Sequence, residues 1–213
     1  FNYSIFYSFH IFNNRGYFVA TDGTSLAQVW STDGTSTNTV LLKDFVPGSA
    51  FGASVLLLDA VNLPGKFIFP VSDGASRSEL WDSDGTPGGT VLFKSFSPGS
   101  GGNIPLIFVP YAFTSTSAIQ QLFQGNKFFF TAYTDTEGSE LWISDGSLAN
   151  TTIVKDIKTG VQDGIDLSGI SYAYTAGTFF FPADNGANGL ELWKSDGTSA
   201  GTTMVADLIP GTA

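Results

Sequence analysis

Short apolar runs alternate with polar turn residues along the chain, and these runs follow one another in the same order four times. Each repeat opens with an aromatic-rich run that is apolar at every position, as at residues 17–19, 67–69, 128–130 and 179–181. Continuous apolar runs of this length are typical of strands covered on both faces. A second run ends in a tryptophan, and a third follows an Asp-Gly pair. The pattern predicts three consecutive strands in each repeat, joined by tight turns.

The tryptophan that ends the second run marks the repeat most clearly. The four tryptophans, spaced 51, 61 and 51 residues apart, are Trp30, Trp81, Trp142 and Trp193. An Asp-Gly pair begins three residues after each of them, and glycine tolerates the positive φ that tight hairpin turns require. This period matches a β-propeller blade, whose apolar faces are covered only by neighbouring units.

A more variable fourth strand is expected after each of the first three repeats, at residues 53–61, 104–113 and 167–175. The last repeat has no such strand after it. We therefore predict one all-β domain, a four-bladed propeller of four-stranded antiparallel blades. The expected blades are 16–61, 65–113, 125–175, and 177–213 completed by residues 1–12 of the same or a neighbouring chain.

Residues 1–12 alternate almost strictly between apolar and polar side chains, which predicts a half-buried strand. The odd positions are Phe1, Tyr3, Ile5, Tyr7, Phe9 and Ile11. This uncharged aromatic strand lacks the usual protection against pairing with another chain. We expect its odd positions to dock on residues 203–208, either within one chain or by strand addition between chains.

The motif around each tryptophan resembles that of the ELWxxDGT-repeat proteins, and the matching segments cover about half of the chain. Residues 191–202 match best and residues 79–90 nearly as well, whereas residues 140–152 carry Ser147 and Asn150 at variant positions. The first copy departs most, with Gln28 and Val29 in place of Glu-Leu. The resemblance implies an extracellular or surface-exposed, propeller-like repeat protein with no assigned reaction.

Composition and charge exclude several classes of binding partner. With 42% hydrophobic residues, the 213-residue chain can bury a core as one repeat domain. Its net charge of −10 argues against nucleic acid and anionic membrane surfaces as partners. No run of about 18 apolar residues is present, so no membrane-spanning helix is expected. The chain has no cysteine and therefore no disulfide.

Candidate chemistry is sparse. We expect the four tryptophans to dock against adjacent blades rather than stack on a ligand. Three glutamates, Glu79, Glu140 and Glu191, lie two positions before a tryptophan. They are expected to accept hydrogen bonds between blades rather than to catalyse, and Gln28 at the fourth position fits that role because an amide is not a general base.

Two further features carry weaker predictions. Asp82 and Asp84 resemble the start of a calcium loop, but the Asp-Gly turn alone explains Asp84, so no cofactor is expected, with Ca²⁺ as the weaker alternative. Asn2 and Asn150 fit the N-glycosylation triplet.

The function predicted from these observations is a non-enzymatic extracellular structural or scaffold protein. It would self-associate through its N-terminal strand, into a filament or a surface coat. The alternative is a recognition propeller that binds glycans or proteins. A hydrolase is the third hypothesis, disfavoured because the loops resemble one another and no nucleophile stands beside a base.

Overall fold

A computed structural model of the chain describes residues 8–21, 28–45, 54–55, 57–72, 78–96, 106–107, 126–165, 172–208 and 210–211. These residues form β-strands and two one-turn 3-10 helices, Leu57–Asp59 and Leu148–Asn150. All of the strand pairs with a described register are antiparallel, so the prediction of an antiparallel all-β fold is confirmed. The chain divides into two compact units, Phe1–Ile107 and Phe108–Ala213.

The first unit contains two sheets and one further short strand. The first sheet has the order β1 (Phe9–Phe12), β2 (Arg15–Ala20), β3 (Gln28–Thr32), β4 (Val40–Asp44). The second sheet contains β5 (Ser54–Val55), β6 (Val61–Leu63), β7 (Lys66–Ser72), β8 (Ser78–Ser83) and β9 (Thr90–Phe96), with β5 and β6 both paired to β7. Strand β10 (Leu106–Ile107) ends this unit.

The second unit repeats this organisation. Its first sheet, the third of the chain, runs through β11 (Phe128–Thr134), β12 (Gly138–Ser144) and β13 (Thr152–Lys155). The fourth sheet contains β14 (Ala173–Thr175), β15 (Thr178–Asp184), β16 (Leu190–Ser195) and β17 (Thr203–Ala206), in that order.

Each sheet has two faces that its sequence distinguishes. The tryptophan of each repeat lies directly opposite an aromatic residue of the preceding strand, in pairs such as Phe69↔Trp81 and Phe181↔Trp193. We call this side the tryptophan face. The residue before each tryptophan points the other way, and this side, marked by Val29, Leu80, Leu141 or Leu192, is the leucine face. A β-bulge separates these two residues in every sheet.

Two apolar cores join the sheets within the units. In the first unit, Val29 and Leu42 of the first sheet pack in one cluster with Phe67, Phe69 and Trp81 of the second. In the second unit, Leu141 and Val154 of the third sheet pack with residues of the fourth, which are Phe179, Phe181 and Trp193. In both cases a leucine face packs against the tryptophan face of the next sheet.

The N-terminal strand corrects one prediction. Phe9–Phe12 pairs with β2 of the first sheet, not with residues 203–208 of the last repeat. The two-residue turn at Asn13 and Asn14, with φ of 48° and 57°, sets this local pairing, because asparagine tolerates left-handed backbone conformations. The fourth sheet takes β14 as its own first strand, so no N-terminal strand is needed to complete it. Phe1, Tyr3, Ile5 and Tyr7 lie outside the described residues.

The strands before two other aromatic runs also pair with the strand that follows them. β6 and β14 pair with the aromatic strands that follow them, β7 and β15. The sequence placed the corresponding segments, 53–61 and 167–175, at the end of the preceding repeat. No helix in the described part of the chain is long and apolar enough to cross a membrane.

Candidate functional site

The Asp-Gly turn of each repeat is a closed network of hydrogen bonds. In the second sheet, Asp84 Oδ1 accepts bonds from the backbone N–H and the hydroxyl of Thr86, at 2.9 and 2.7 Å. Ser83 Oγ accepts a bond from the N–H of Gly85 and lies 2.7 Å from Thr90 Oγ1. The Thr90 hydroxyl donates to the carbonyl of Thr86. This network explains why the motif has Asp-Gly flanked by hydroxyl residues, Ser or Thr, at fixed spacing, since Thr32 and Ser147 make the same bonds in the first and third turns.

The turns come in two versions that differ at the position before the last threonine. Gly89 and Gly201 occupy it in the second and fourth repeats, where a Cβ would overlap the carboxylate of Asp84 or Asp196. Asn38 and Asn150 replace glycine in the other two repeats, and each donates to the second aspartate oxygen at 2.6 Å. The exposed amide of Asn150 therefore has a partner, Asp145, and its glycosylation stays a prediction.

Hydrogen bonding lowers the pKa of the turn aspartates. The Thr35 hydroxyl and N–H, followed by the Asn38 amide, lower the pKa of Asp33 to about 2. The Ser147 hydroxyl and the Asn150 amide lower the pKa of Asp145 to about 2 in the same way. Because these carboxylates are satisfied by their own turns, the turns act as structural elements of the hairpins.

The two calcium candidates have partners of their own. The Asp82 carboxylate forms an ion pair with Lys66 at 2.7 Å, and Asp84 is bound within its turn. Over the residues that the structure describes, no group of three or more acidic, histidine or cysteine side chains is placed to hold a metal ion. The expectation of no cofactor, with Ca²⁺ as the weaker alternative, stays a prediction.

The glutamates before the tryptophans hold different partners. Glu140 Oε1 accepts a hydrogen bond from the backbone N–H of Lys158, and Glu191 Oε2 accepts one from Leu208, both at 3.1 Å. In each case the donor follows the third strand of the same repeat, so the carboxylate ties that segment back to the middle of the sheet. Glu79 Oε2 instead accepts the indole N–H of Trp81 at 2.8 Å.

Glu140 is the most perturbed of these carboxyl groups. Its side chain is fully buried, and its Oε2 has no hydrogen-bond partner among the described atoms. Burial raises the pKa of Glu140 from 4.5 to about 8, although hydrogen bonds from the backbone of Lys158 and Ile157 act in the opposite direction. The nearby charges of Asp156 and Asp163 add to the rise. The backbone of Gly164 packs directly against this carboxyl, where a Cβ would overlap it. Burial therefore favours the protonated form of Glu140, whose side chain has no contact with solvent.

Two tryptophans pack on the sheet that precedes their own. The Trp81 ring meets Phe45 edge-on at 4.9 Å, and Trp193 is buried in the core that joins the third and fourth sheets. The Asp-Gly turns reach the same neighbours, because Gly85 lies against Tyr17 and Gly197 against Ile143. Trp30, in the first sheet, is half-buried.

The leucine face of the fourth sheet differs from the other three. Its marker residue, Leu192, is 41% exposed, whereas Val29, Leu80 and Leu141 are fully buried. The residue at the bulge shows the same contrast, since Val205 is 46% exposed and its counterparts are 2–7% exposed; these are Leu42, Phe93 and Val154. Leu190 adds a third exposed apolar side chain to this sheet. Exposed, contiguous apolar surface of this kind is typical of interaction sites.

Comparisons with known proteins identify no family. No protein-family model matches the chain, and no curated protein matches it. The resemblance to ELWxxDGT-repeat proteins therefore stays a prediction.

Several solved structures are similar at low identity. A puromycin hydrolase is 16% identical with a TM-score of 0.49, and the match covers 90% of this chain but 29% of the hydrolase. A family 117 glycoside hydrolase from Zobellia galactanivorans is 12% identical, with a TM-score of 0.40 and coverage of 96% and 68%. A GH43_1 enzyme from Xanthomonas citri is 11% identical, with a TM-score of 0.35 and coverage of 92% and 71%.

These comparisons correct one prediction. The sequence led us to expect that the protein is not an enzyme, because its polar residues form no recognisable catalytic arrangement. The matching solved structures described above are hydrolases, and this finding overturns the exclusion. At identities of 11–16%, they assign neither a reaction nor a catalytic residue to this chain.

Proposed function

We propose that this protein self-associates, with the leucine face of its fourth sheet as the docking surface and a second copy of the chain as the occupant. The observation that carries the proposal is the 41% exposure of Leu192, whose counterparts Leu80 and Leu141 are fully buried. Burying a leucine side chain is worth about 1.5–3 kcal/mol. Covering this face therefore yields free energy that the isolated chain lacks.

The packing inside the chain indicates what fits this face. The leucine faces of the first and third sheets are each covered by the tryptophan face of the following sheet. Every copy of the chain carries tryptophan faces of this type. A second copy therefore presents a surface of the required shape and chemistry, without any additional partner.

Leu192→Asp tests the proposal in sedimentation velocity over a range of protein concentrations. Wild-type protein is expected to show a mass that rises above the monomer with concentration. The variant places a charge in the docking face, so its dissociation constant should rise at least about tenfold, which corresponds to about 1.4 kcal/mol.

Val40→Asp is the matched control, because Val40 is 42% exposed, lies opposite Ser31 on β4 of the first sheet and gains the same charge. It should associate like the wild type. Wild-type protein that stays monomeric at every concentration would refute the proposal. Equal loss of association in both variants would also count against it, because charge alone would then explain the effect.

The other hypotheses from the sequence remain predictions. Glycan recognition and hydrolysis can be screened with a glycan array and a panel of chromogenic substrates, using the monomeric Leu192→Asp protein so that assembly does not mask a loop surface. The extracellular or cell-surface location implied by the family resemblance is likewise a prediction, checked by fractionation of the producing cells.

A further inference from the structure

At both junctions inside a unit, the leucine face of one sheet packs against the tryptophan face of the next sheet. In the first unit, Val29 of the leucine face packs in one cluster with Phe69 and Trp81 of the tryptophan face. In the second unit, Leu141 packs with Phe181 and Trp193. The ring of Phe129 stacks on that of Phe179 at 4.9 Å across this second junction. The order is the same both times, with the earlier sheet supplying the leucine face.

No sheet precedes the first sheet among the described residues, and the tryptophan face of the first sheet is exposed. A row of directly opposed residues crosses its four strands, namely Phe9, Phe18, Trp30 and Leu41. Phe18 is half-buried, whereas its counterparts Phe69, Phe130 and Phe181 are at most 1% exposed. Phe9 is 50% exposed and its neighbour on the same face, Ile11, is 54% exposed.

Equivalent residues in the fourth sheet show what covers the positions of Phe9 and Ile11 when another sheet comes before in the same unit. Tyr174, which lies opposite Phe179 as Ile11 lies opposite Gly16, packs against the core between the third and fourth sheets. The glycine of the Asp-Gly turn also differs in its surroundings between the first sheet and the second and fourth sheets. A Cβ at Gly85 or Gly197 would touch the preceding sheet, but a Cβ at Gly34 would meet no atom within 4 Å.

We infer that the copies associate head to tail: the tryptophan face of the first sheet of one copy docks on the leucine face of the fourth sheet of the next. This inference rests on the proposed function and adds the mating surface and the direction of growth. The two surfaces differ, so the contact is heterologous, and each bound copy leaves one surface of each kind available. Such contacts produce rings or open chains of copies that all point in the same direction.

Two kinds of blocked variant test this geometry. Leu192→Asp blocks the leucine face of the fourth sheet. Phe9→Asp and Ile11→Asp, made separately, each block the tryptophan face of the first sheet. Val40→Asp is the control, because Val40 is 42% exposed on the same sheet but lies opposite Ser31, on the other face. Thermal unfolding followed by circular dichroism verifies that each protein is folded before its mass is measured.

Each blocked variant alone should sediment as a monomer, with association at least tenfold weaker than in the wild type and in Val40→Asp. An equimolar mixture of the two kinds should form a 1:1 dimer and nothing larger, because only one compatible pair of surfaces remains. If folded Phe9→Asp and Ile11→Asp still dimerise alone, two leucine faces bind each other, and the head-to-tail inference fails while self-association stands. A mixture that stays monomeric also overturns it. A monomeric wild type would instead remove the proposed function.

Discussion

Glu140 is a carboxyl group that folding transfers out of water without a full set of hydrogen bonds. Its Oε1 accepts a backbone N–H, but its Oε2 has no described partner, and burial raises its pKa to about 8. The folded chain therefore binds this proton more tightly than the unfolded chain does. Stability that is fully present below pH 4.5 is lost as the pH rises towards 8, at about 1.4 kcal/mol per pH unit.

Glu140→Gln should reduce this pH dependence. The amide has the shape of the protonated acid and cannot ionise, and Gln28 occupies the equivalent position of the first repeat. We expect the free energy of unfolding in urea to fall less steeply between pH 5 and pH 8 than in the wild type, with the variant the more stable protein at pH 8.

The same two proteins at pH 4 provide the internal control, because both side chains are then neutral and their stabilities should agree. Parallel slopes for the two proteins between pH 5 and pH 8 would show that Glu140 does not hold its proton in this range.

At the level of single residues, the sequence predicted the Asp-Gly turns but not all of their hydrogen bonds. The Asp-Gly pair and its spacing from the tryptophan were sufficient to predict each turn. In the sequence, Asn150 in place of glycine looked like a departure from the motif, and Asn38 occupies the same position in the first repeat. In the structure, the asparagine amide fills the space beside the aspartate and bonds to it, which depends on a distance of a few ångströms that spacing alone does not supply.

The turn glycines link one sheet to the next. Gly34 and Gly85 have nearly the same backbone conformation, with φ of 96° and 94°. Only Gly85 lies against the preceding sheet, at the hydroxyl of the fully buried Tyr17. The pair therefore separates the backbone cost of a side chain at this turn from the cost of crowding the junction.

Gly34→Ala should destabilise the chain by about 1–2 kcal/mol, the cost of placing an L-residue at positive φ. Gly85→Ala carries the same cost and must also displace Tyr17, which should add about 1–3 kcal/mol. Urea unfolding of both variants gives the difference. Equal destabilisation would mean that the turn of the second sheet does not press on the first.

The strands themselves were predicted well, but their grouping was not. Aromatic runs and tryptophan runs became the strands that periodicity predicts. The strand at the start of each repeat was assigned to the wrong neighbour, because its partner is set by a two-residue turn. Asn13 and Asn14 form that turn in the first sheet, and Ala176 and Gly177 form it in the fourth, all at positive φ. Those residue pairs were the available signal.

The whole molecule carries a net charge of −10, so two copies repel each other at low ionic strength. The surfaces that we propose to meet are apolar and are not weakened by salt. Raising the NaCl concentration from about 0.01 M to about 1 M shortens the Debye length from about 30 Å to about 3 Å. The dissociation constant of the wild-type assembly should therefore fall with salt in sedimentation equilibrium.

Val40→Asp provides the control, since it makes each copy more negative at a position opposite Ser31, off the tryptophan face of the first sheet, and its salt dependence should be steeper than that of the wild type. An assembly that dissociates on adding salt would indicate contacts between opposite charges, and would contradict an apolar interface.

The sequence could not distinguish the exposed faces from the covered ones. Leu192 stands in the best copy of the motif, so its residues look identical to those of a buried junction. Its exposure depends on whether another sheet covers it, which the residue type does not encode; among the described residues no sheet does so. Likewise, Phe18 differs from Phe69 in what lies above it and not in residue type.

The recurring pair of faces has an evolutionary consequence. A gene duplication or deletion that adds or removes one repeat should leave compatible surfaces on both sides of the change, since the first and third sheets each meet the following sheet through equivalent positions. Selection can therefore lengthen or shorten such a protein by whole repeats without redesigning any junction, whereas a cut inside a repeat would separate a tryptophan from the strand that orients it.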